Sequence, residues 1–329
     1  MIPLQIDFYF HWEETIMPIY IPNDLPAKNL LEQENIYLIT QERAEHQDIR
    51  PLKIMILNLM PKKIETENQL LRLLGNTPLQ LDIELLQMAT HVSKNTNAEH
   101  LFKFYKTFSE IQDQYYDGLI VTGAPVEQIP FEQVDYWKEL TTIFEWSKTH
   151  VYATLHICWG AQAGLYHHYG IKKIPLSKKM FGIFPHHITD PNHLLVRGFD
   201  ELFYVPHSRH TTIDEDAVIA HSQLRILSYS DISGANIIAA KDGRKFFVCG
   251  HAEYDRRTLA EEYFRDKQKG LDIELPYHYF PNDDPSQRPP FVWRGHANLL
   301  FKNWINIVYQ HTPYHLEDLK FIKETSFPE

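Results

Sequence analysis

Three observations predict an α/β fold with a mostly parallel sheet flanked by helices. Strand-like and helix-like segments alternate from residue 51 onward. Short apolar runs such as Lys53 to Leu59 suit strands buried inside a sheet. A third run, Val151 to Ile157, stops abruptly at Cys158, where small residues open a helix. Taken in order, Lys53 to Leu59 is the first strand of the regular pattern. After Pro61, Ile64, Leu70, Leu71 and Leu74 mark a helix face, with Gly75 where a C-terminal cap belongs. Leu79 to Leu85 alternates as a strand does. Asn97 to Phe108 carries Leu101, Phe102, Tyr105 and Phe108 as a helical stripe. Then follow strand Gly118 to Val121, helix Phe131 to Lys148, strand Val151 to Ile157 and a helix from about Trp159.

The second half is richer in strands. Leu224 to Tyr229, Ala235 to Ala240 and Lys245 to Val248 are separated by Ser, Gly and Asp, which predicts hairpins. Helices resume at Arg256 to Lys267 and Ala297 to Gln310, on either side of a loop rich in Pro and Asp from Tyr279 to Pro290. With no internal repeat and no long linker, residues 17–329 read as one domain. Residues 1–16 hold Phe8, Tyr9, Phe10 and Trp12 without a period, and read as an N-terminal extension outside the core.

Composition narrows the functional classes. In 329 residues, 43% hydrophobic and 23% charged is an ordinary globular mixture, which excludes a low-complexity or disordered chain. Lys and Arg number 32 against 43 Asp and Glu, a net charge of −11, so nucleic acid is not an expected partner. No apolar run approaches the roughly 18 residues of a membrane helix. The start shows no basic leader segment, and two cysteines do not make a disulfide framework. A cytoplasmic protein is expected.

The chemistry-bearing segment is His156-Ile-Cys158-Trp-Gly160-Ala-Gln-Ala-Gly164. A strand that ends at Cys158 and turns through small residues into a helix has the setting of a nucleophile elbow. The helix N-terminus would favour thiolate over thiol. By itself the segment equally admits a buried structural cysteine. A base is offered by His251, just beyond a strand, with Glu253 two residues on to orient it. Cys249, the rival thiol, falls within that strand and reads as core. Gly123, in Val121-Thr-Gly-Ala-Pro125, ends another strand; its amide and that of Trp159 could hold an oxyanion, or Gly123 could simply make a tight turn. All these positions fall where a parallel sheet presents its C-terminal strand ends, the place where ligands bind. No metal site is expected, because His167-His168, His186-His187 and His207-x-x-His210 lack supporting ligands. No phosphate-binding GxxxxGK[ST] occurs.

Several longer motifs carry a family resemblance. Asn58-Leu-Met-Pro-Lys-Lys-Ile-Glu-Thr-Glu-Asn-Gln69, Asp117 to Pro125, Ile157-Cys-Trp-Gly-Ala-Gln162, Pro206-His-Ser-Arg209, Gly250-His-Ala-Glu-Tyr-Asp255 and Tyr277 to Pro285 resemble the bacterial homoserine O-acyltransferases of methionine biosynthesis. The resemblance runs from Met17 to about Leu316 and is to the branch with a class I glutamine amidotransferase-like fold. It implies that Cys158 carries the acyl group as a thioester, with His251 as general base and Glu253 as its partner. It also implies that Lys179, Ser208 and Arg265 contact substrate, a guanidinium suiting the homoserine carboxylate. Glu127 matches a position that selects the acyl donor: Glu goes with acetyl transfer, Gly with succinyl. The implied reaction is acetyl transfer from acetyl-CoA to L-homoserine, with acetyl-CoA as co-substrate, no resident cofactor and a homodimeric enzyme. Succinyl transfer from succinyl-CoA, and glutamine hydrolysis on the same fold, are the alternative readings. A catalytically silent binding module would form no thioester.

Overall fold

The computed structural model describes residues 19–20, 24–33, 38–39, 50–91 and 95–322. The expected N-terminal extension, residues 1–16, lies outside them. In chain order the strands are β1 (Ile19–Tyr20), β2 (Leu38–Ile39), β3 (Leu52–Leu57), β4 (Leu81–Leu86), β5 (Tyr105–Lys106), β6 (Tyr116–Val121), β7 (Val151–Ile157), β8 (Lys173–Ile188), β9 (Leu202–Ile213), β10 (Leu224–Ser230), β11 (Gly234–Ala240) and β12 (Lys245–Val248). The α-helices are α1 (Ala27–Gln33), α2 (Lys63–Leu74), α3 (Ala98–Phe104), α4 (Phe108–Ile111), α5 (Trp137–His150), α6 (Trp159–Tyr169), α7 (Glu215–Ala220), α8 (Thr258–Gln268) and α9 (Arg294–His311).

These strands form one sheet in the order β2-β1-β4-β3-β6-β7-β12-β11-β10-β8-β9, with β5 beside β4. From β2 through β12 the pairings are parallel. Beyond β12 they are antiparallel. The pattern of β3 shows why the parallel part reads as an unbroken apolar run. Ile54 and Ile56 enter one core with Leu70 and Leu71 of α2 and Trp304 and Val308 of α9. Met55 and Leu57 enter a second core with Leu140 and Phe144 of α5. Both faces are covered, so both sets of side chains must be apolar.

Local differences from the sequence expectation have physical reasons. The stripe Leu101-Phe102-Tyr105-Phe108 is not one helix face. Phe102 is 92% exposed, α3 stops at Phe104, Tyr105 pairs with Leu85 of β4, and a Thr107–Glu110 capping box starts α4. The expected helix from Phe131 is a 3₁₀ turn at Phe131–Gln133 followed by α5. Gly75 caps α2 through its amide, 2.8 Å from the Leu71 carbonyl, but at φ −69° rather than in the left-handed region.

Four buried histidines make the fold acid-sensitive. Burial pushes His156 down to about 3 and His186 down to about 4, from an ordinary 6.5. It lowers His168 and His207 in the same sense. The unfolded chain protonates these rings near pH 6.5 and the folded chain does not, so stability present above that pH is lost as pH falls toward 4. Asp82 opposes this, because burial raises its carboxyl to about 6 and the fold takes up that proton first. Burial lowers His193 as well, so five rings against one carboxyl leave a net loss, about 1.4 kcal/mol per pH unit for each unopposed ring. The melting temperature is expected to drop steadily between pH 6 and 4.5. A flat profile would show that these imidazoles are not held neutral.

Candidate active site

Cys158 sits at the hinge between β7 and α6 with φ 52° and ψ −115°, a left-handed conformation rare for a residue with a side chain. Two contacts hold it there. Its amide donates to the Val248 carbonyl at 2.7 Å, extending the β7–β12 ladder by one rung. Behind it, Gly160 lies so close to the end of β6 that a Cβ would stand 2.6 Å from the Thr122 carbonyl oxygen and 2.9 Å from that of Val121. Only glycine lets the helix start there. The Trp159 amide opens α6 and has no intrahelical acceptor. A Cβ placed on Gly123 would fall 3.3 Å from Cys158 Cβ and 3.6 Å from His251 Cε1, so the bare Gly123 backbone borders both side chains.

His251 reaches this point from the end of β12. Its amide donates to the Pro206 carbonyl at 2.8 Å, and the Gly250 amide donates to Asn236 Oδ1 at 3.0 Å. His251 Nδ1 lies 2.7 Å from Glu253 Oε1, which leaves Nε2 available to the Cys158 thiol. Its ring stacks on Tyr254 at 4.1 Å and 17°. Burial alone would depress the imidazolium, but Cys158 and then Glu253 outweigh it and raise His251 well above its ordinary pKa. Cys249 is buried in the core with Ile238 and Phe247, and burial pushes its thiol up to about 12. That is the environment of an inert cysteine.

Lys179, Ser208 and Arg265 come from three elements, β8, β9 and α8, and converge on two carboxylates. Glu262 Oε2 accepts from Ser208 Oγ at 2.5 Å and from Lys179 Nζ at 3.3 Å. Glu262 Oε1 accepts from Tyr254 Oη at 3.0 Å. Asp266 pairs with Lys179 at 3.5 Å and with Arg265 Nε at 2.7 Å. Tyr254 thus links the pair Glu262–Lys179 to the ring of His251. Sequence reasoning missed Tyr254, Glu262 and Asp266. The available signal was the spacing 262, 265, 266, which places all three on one face of a helix. Glu127 does not point to solvent: Oε2 accepts from the His210 amide at 2.8 Å and lies 3.3 Å from Thr211 Oγ1. A cleft of about 1170 Å³ has Lys179, His210 and Asp266 in its wall. Among the described residues, no group of three or more His, Cys, Asp or Glu side chains is arranged to hold a metal ion, and no helix is long and apolar enough to cross a membrane.

A mostly parallel sheet with a Cys-His-Glu constellation at its strand ends puts the protein in the class with a class I glutamine amidotransferase-like fold. A glutamine amidotransferase from Thermotoga maritima superposes with a TM-score of 0.53 at 12% identity, covering 79% of this chain and 99% of that one. One from Methylobacillus flagellatus gives 0.51, also at 12% identity, over 79% and 96%. These likenesses concern the fold alone. The chain belongs to the homoserine O-succinyltransferase family, whose family model matches residues 18–314. Relatives named homoserine O-acetyltransferase are 61% identical in Acetivibrio thermocellus and 59% identical in Brevibacillus brevis, each over 92% of this chain and 100% of theirs. The relative of that name in Petrotoga mobilis is 57% identical over 92% and 98%.

Proposed function

We propose that this protein is a homoserine O-acetyltransferase that works through an acetyl-thioester on Cys158. The observation that carries the mechanism is the Cys158–His251–Glu253 alignment beside the Gly123 and Trp159 backbone. In the first half-reaction the Cys158 thiolate attacks the acetyl-CoA carbonyl, the oxyanion is held by the two amides, and the CoA thiolate leaves with a proton from His251. Homoserine then enters. His251 takes its hydroxyl proton, the oxygen attacks the acetyl carbon, and Cys158 departs as thiolate. Thioester exchange is nearly balanced, whereas forming the oxygen ester runs downhill, an order that suits a thiol.

In this reading Arg265 and Lys179 receive the homoserine carboxylate, and Glu262 with Ser208 receives its ammonium. Acetyl-CoA is the co-substrate, no resident cofactor is required, and the enzyme acts as a cytoplasmic homodimer. The test is intact-protein mass spectrometry after incubation with acetyl-CoA alone, then with homoserine. One acetyl group should appear on Cys158 and be discharged by homoserine, with no ammonia released from glutamine. Ammonia from glutamine without acetylation would establish the glutaminase instead.

The family's descriptive name and those of the relatives differ in the acyl group, and Glu127 supports acetyl. A succinyl group ends in a carboxylate that would meet the Glu127 carboxylate. Two like charges about 4 Å apart cost roughly 1 kcal/mol in water and about 4 at an effective dielectric of 20, the latter close to a thousand-fold in rate. Glu127→Gly is therefore expected to gain succinyl transfer, read as kcat/KM for the two donors side by side. Preference of the unmodified enzyme for succinyl-CoA would overturn the role of Glu127 and leave the Cys158 mechanism standing.

A further inference from the structure

Glu127 is held by groups that have had no role so far. Besides the His210 amide, its Oε2 meets the hydroxyl of Thr211, a residue 4% exposed. That hydroxyl has one proton and two acceptors: Gln162 Oε1 at 2.9 Å and Glu127 Oε2 at 3.3 Å. Gln162, 3% exposed, returns a hydrogen bond from Nε2 to the Thr211 carbonyl at 3.2 Å. The same carbonyl accepts from Arg209 Nη1 at 2.9 Å. Thr211 is thus fixed from two sides, by Arg209 of its own strand and by Gln162 of α6. Gln162 in turn lies one turn beyond the nucleophile, its amide 3.1 Å from the Cys158 carbonyl.

We propose that Thr211 is a specificity-determining positioning residue for the acyl donor. Its hydroxyl, with the His210 amide, pins the Glu127 carboxylate in place, and Gln162 sets how much of the Thr211 proton Glu127 receives. A carboxylate that can swing away repels a succinyl group less than one held in register, because repulsion falls with distance. The inference rests on the acyl-selecting role of Glu127. It gives two variants opposite signs, which simple loosening of the structure would not do. Thr211→Val keeps the side-chain shape and removes the only proton. Gln162→Met keeps the length and removes the competing acceptor, while Arg209 still holds the Thr211 carbonyl, so the whole Thr211 proton goes to Glu127.

The test measures kcat and KM for acetyl-CoA, succinyl-CoA and homoserine separately. Thr211→Val is expected to lower the acetyl-to-succinyl ratio of kcat/KM about tenfold, mainly through succinyl-CoA, with the homoserine KM unchanged. Thr211→Ser, which restores a hydroxyl, should recover the ratio. Gln162→Met should raise it. An unchanged ratio in Thr211→Val, alongside a changed ratio in Glu127→Gly, overturns the inference while sparing the reading of Glu127. If Glu127→Gly leaves the ratio untouched, the reading of Glu127 itself has failed. If Thr211→Val does not fold, Gln162→Met decides alone, and a ratio that does not rise counts against the inference.

Discussion

Cys158→Ala is expected to abolish acetyl transfer, with no acyl-enzyme detectable by mass, while the protein remains folded. The thiol contributes little to packing where β7 meets α6, whereas no other described residue can carry the thioester. Cys249, the alternative, is sealed among apolar side chains with its thiol pushed up to about 12. The backbone makes the experiment more informative. At φ 52° and ψ −115° any side chain is strained, by about 1–3 kcal/mol. Alanine keeps that strain and glycine releases it. Cys158→Gly should therefore melt above Cys158→Ala, and both should be inactive. Near-normal turnover in Cys158→Ala, or loss of turnover from Cys249→Ala alone, would reassign the nucleophile.

His251→Ala should slow both half-reactions, since the same ring serves the departing CoA thiolate and the incoming hydroxyl. Loss of an aligned general base lowers rates on the order of 10²–10⁴-fold. A second effect follows from the charge pair. With His251 raised well above its ordinary pKa by Cys158 and Glu253 against the opposing effect of burial, a positively charged ring stands beside the sulfur. A cation beside a thiol favours the reactive thiolate, so iodoacetamide should alkylate Cys158 of the native enzyme faster than that of His251→Ala. Equal alkylation rates for the two proteins would mean that His251 does not activate Cys158.

In the parallel half, β3, β6, β7 and β12 were legible because burial on both faces demands apolar side chains, as Met55 and Ile56 of β3 illustrate, whereas the two-residue strands β1, β2 and β5 are too short to show a pattern. β8 and β9 were not. Lys173, Lys178, Lys179 and Pro175 interrupt any apolar pattern in β8, and His207, Ser208, Arg209 and His210 do so in β9. Of these, His207 and Arg209 are buried, and each is tolerated there because a polar group on a neighbouring segment receives it. His207 Nε2 lies 3.3 Å from His186 Nε2, and Arg209 Nη2 donates to the Ser233 carbonyl at 2.6 Å. Hydropathy carries no record of such pairings. The catalytic segments were legible for a different reason. An elbow requires a strand, a break and small residues in one stretch of chain, whereas Glu262 acts through partners 54 and 83 residues away.

The place of β12 in the sheet bears on how the chain reaches its active form. Four residues, Lys245–Val248, are the last strand in chain order among the described residues and lie between β7 and β11. Until they insert, strands β1 to β7 and β8 to β11 are two half-sheets, each ending in an unsatisfied edge, and His251 is nowhere near Cys158. During synthesis the growing chain carries both edges until this keystone emerges, a window in which mispairing between chains competes with folding. Activity and closure of the sheet therefore arrive together, and a partly folded enzyme has neither.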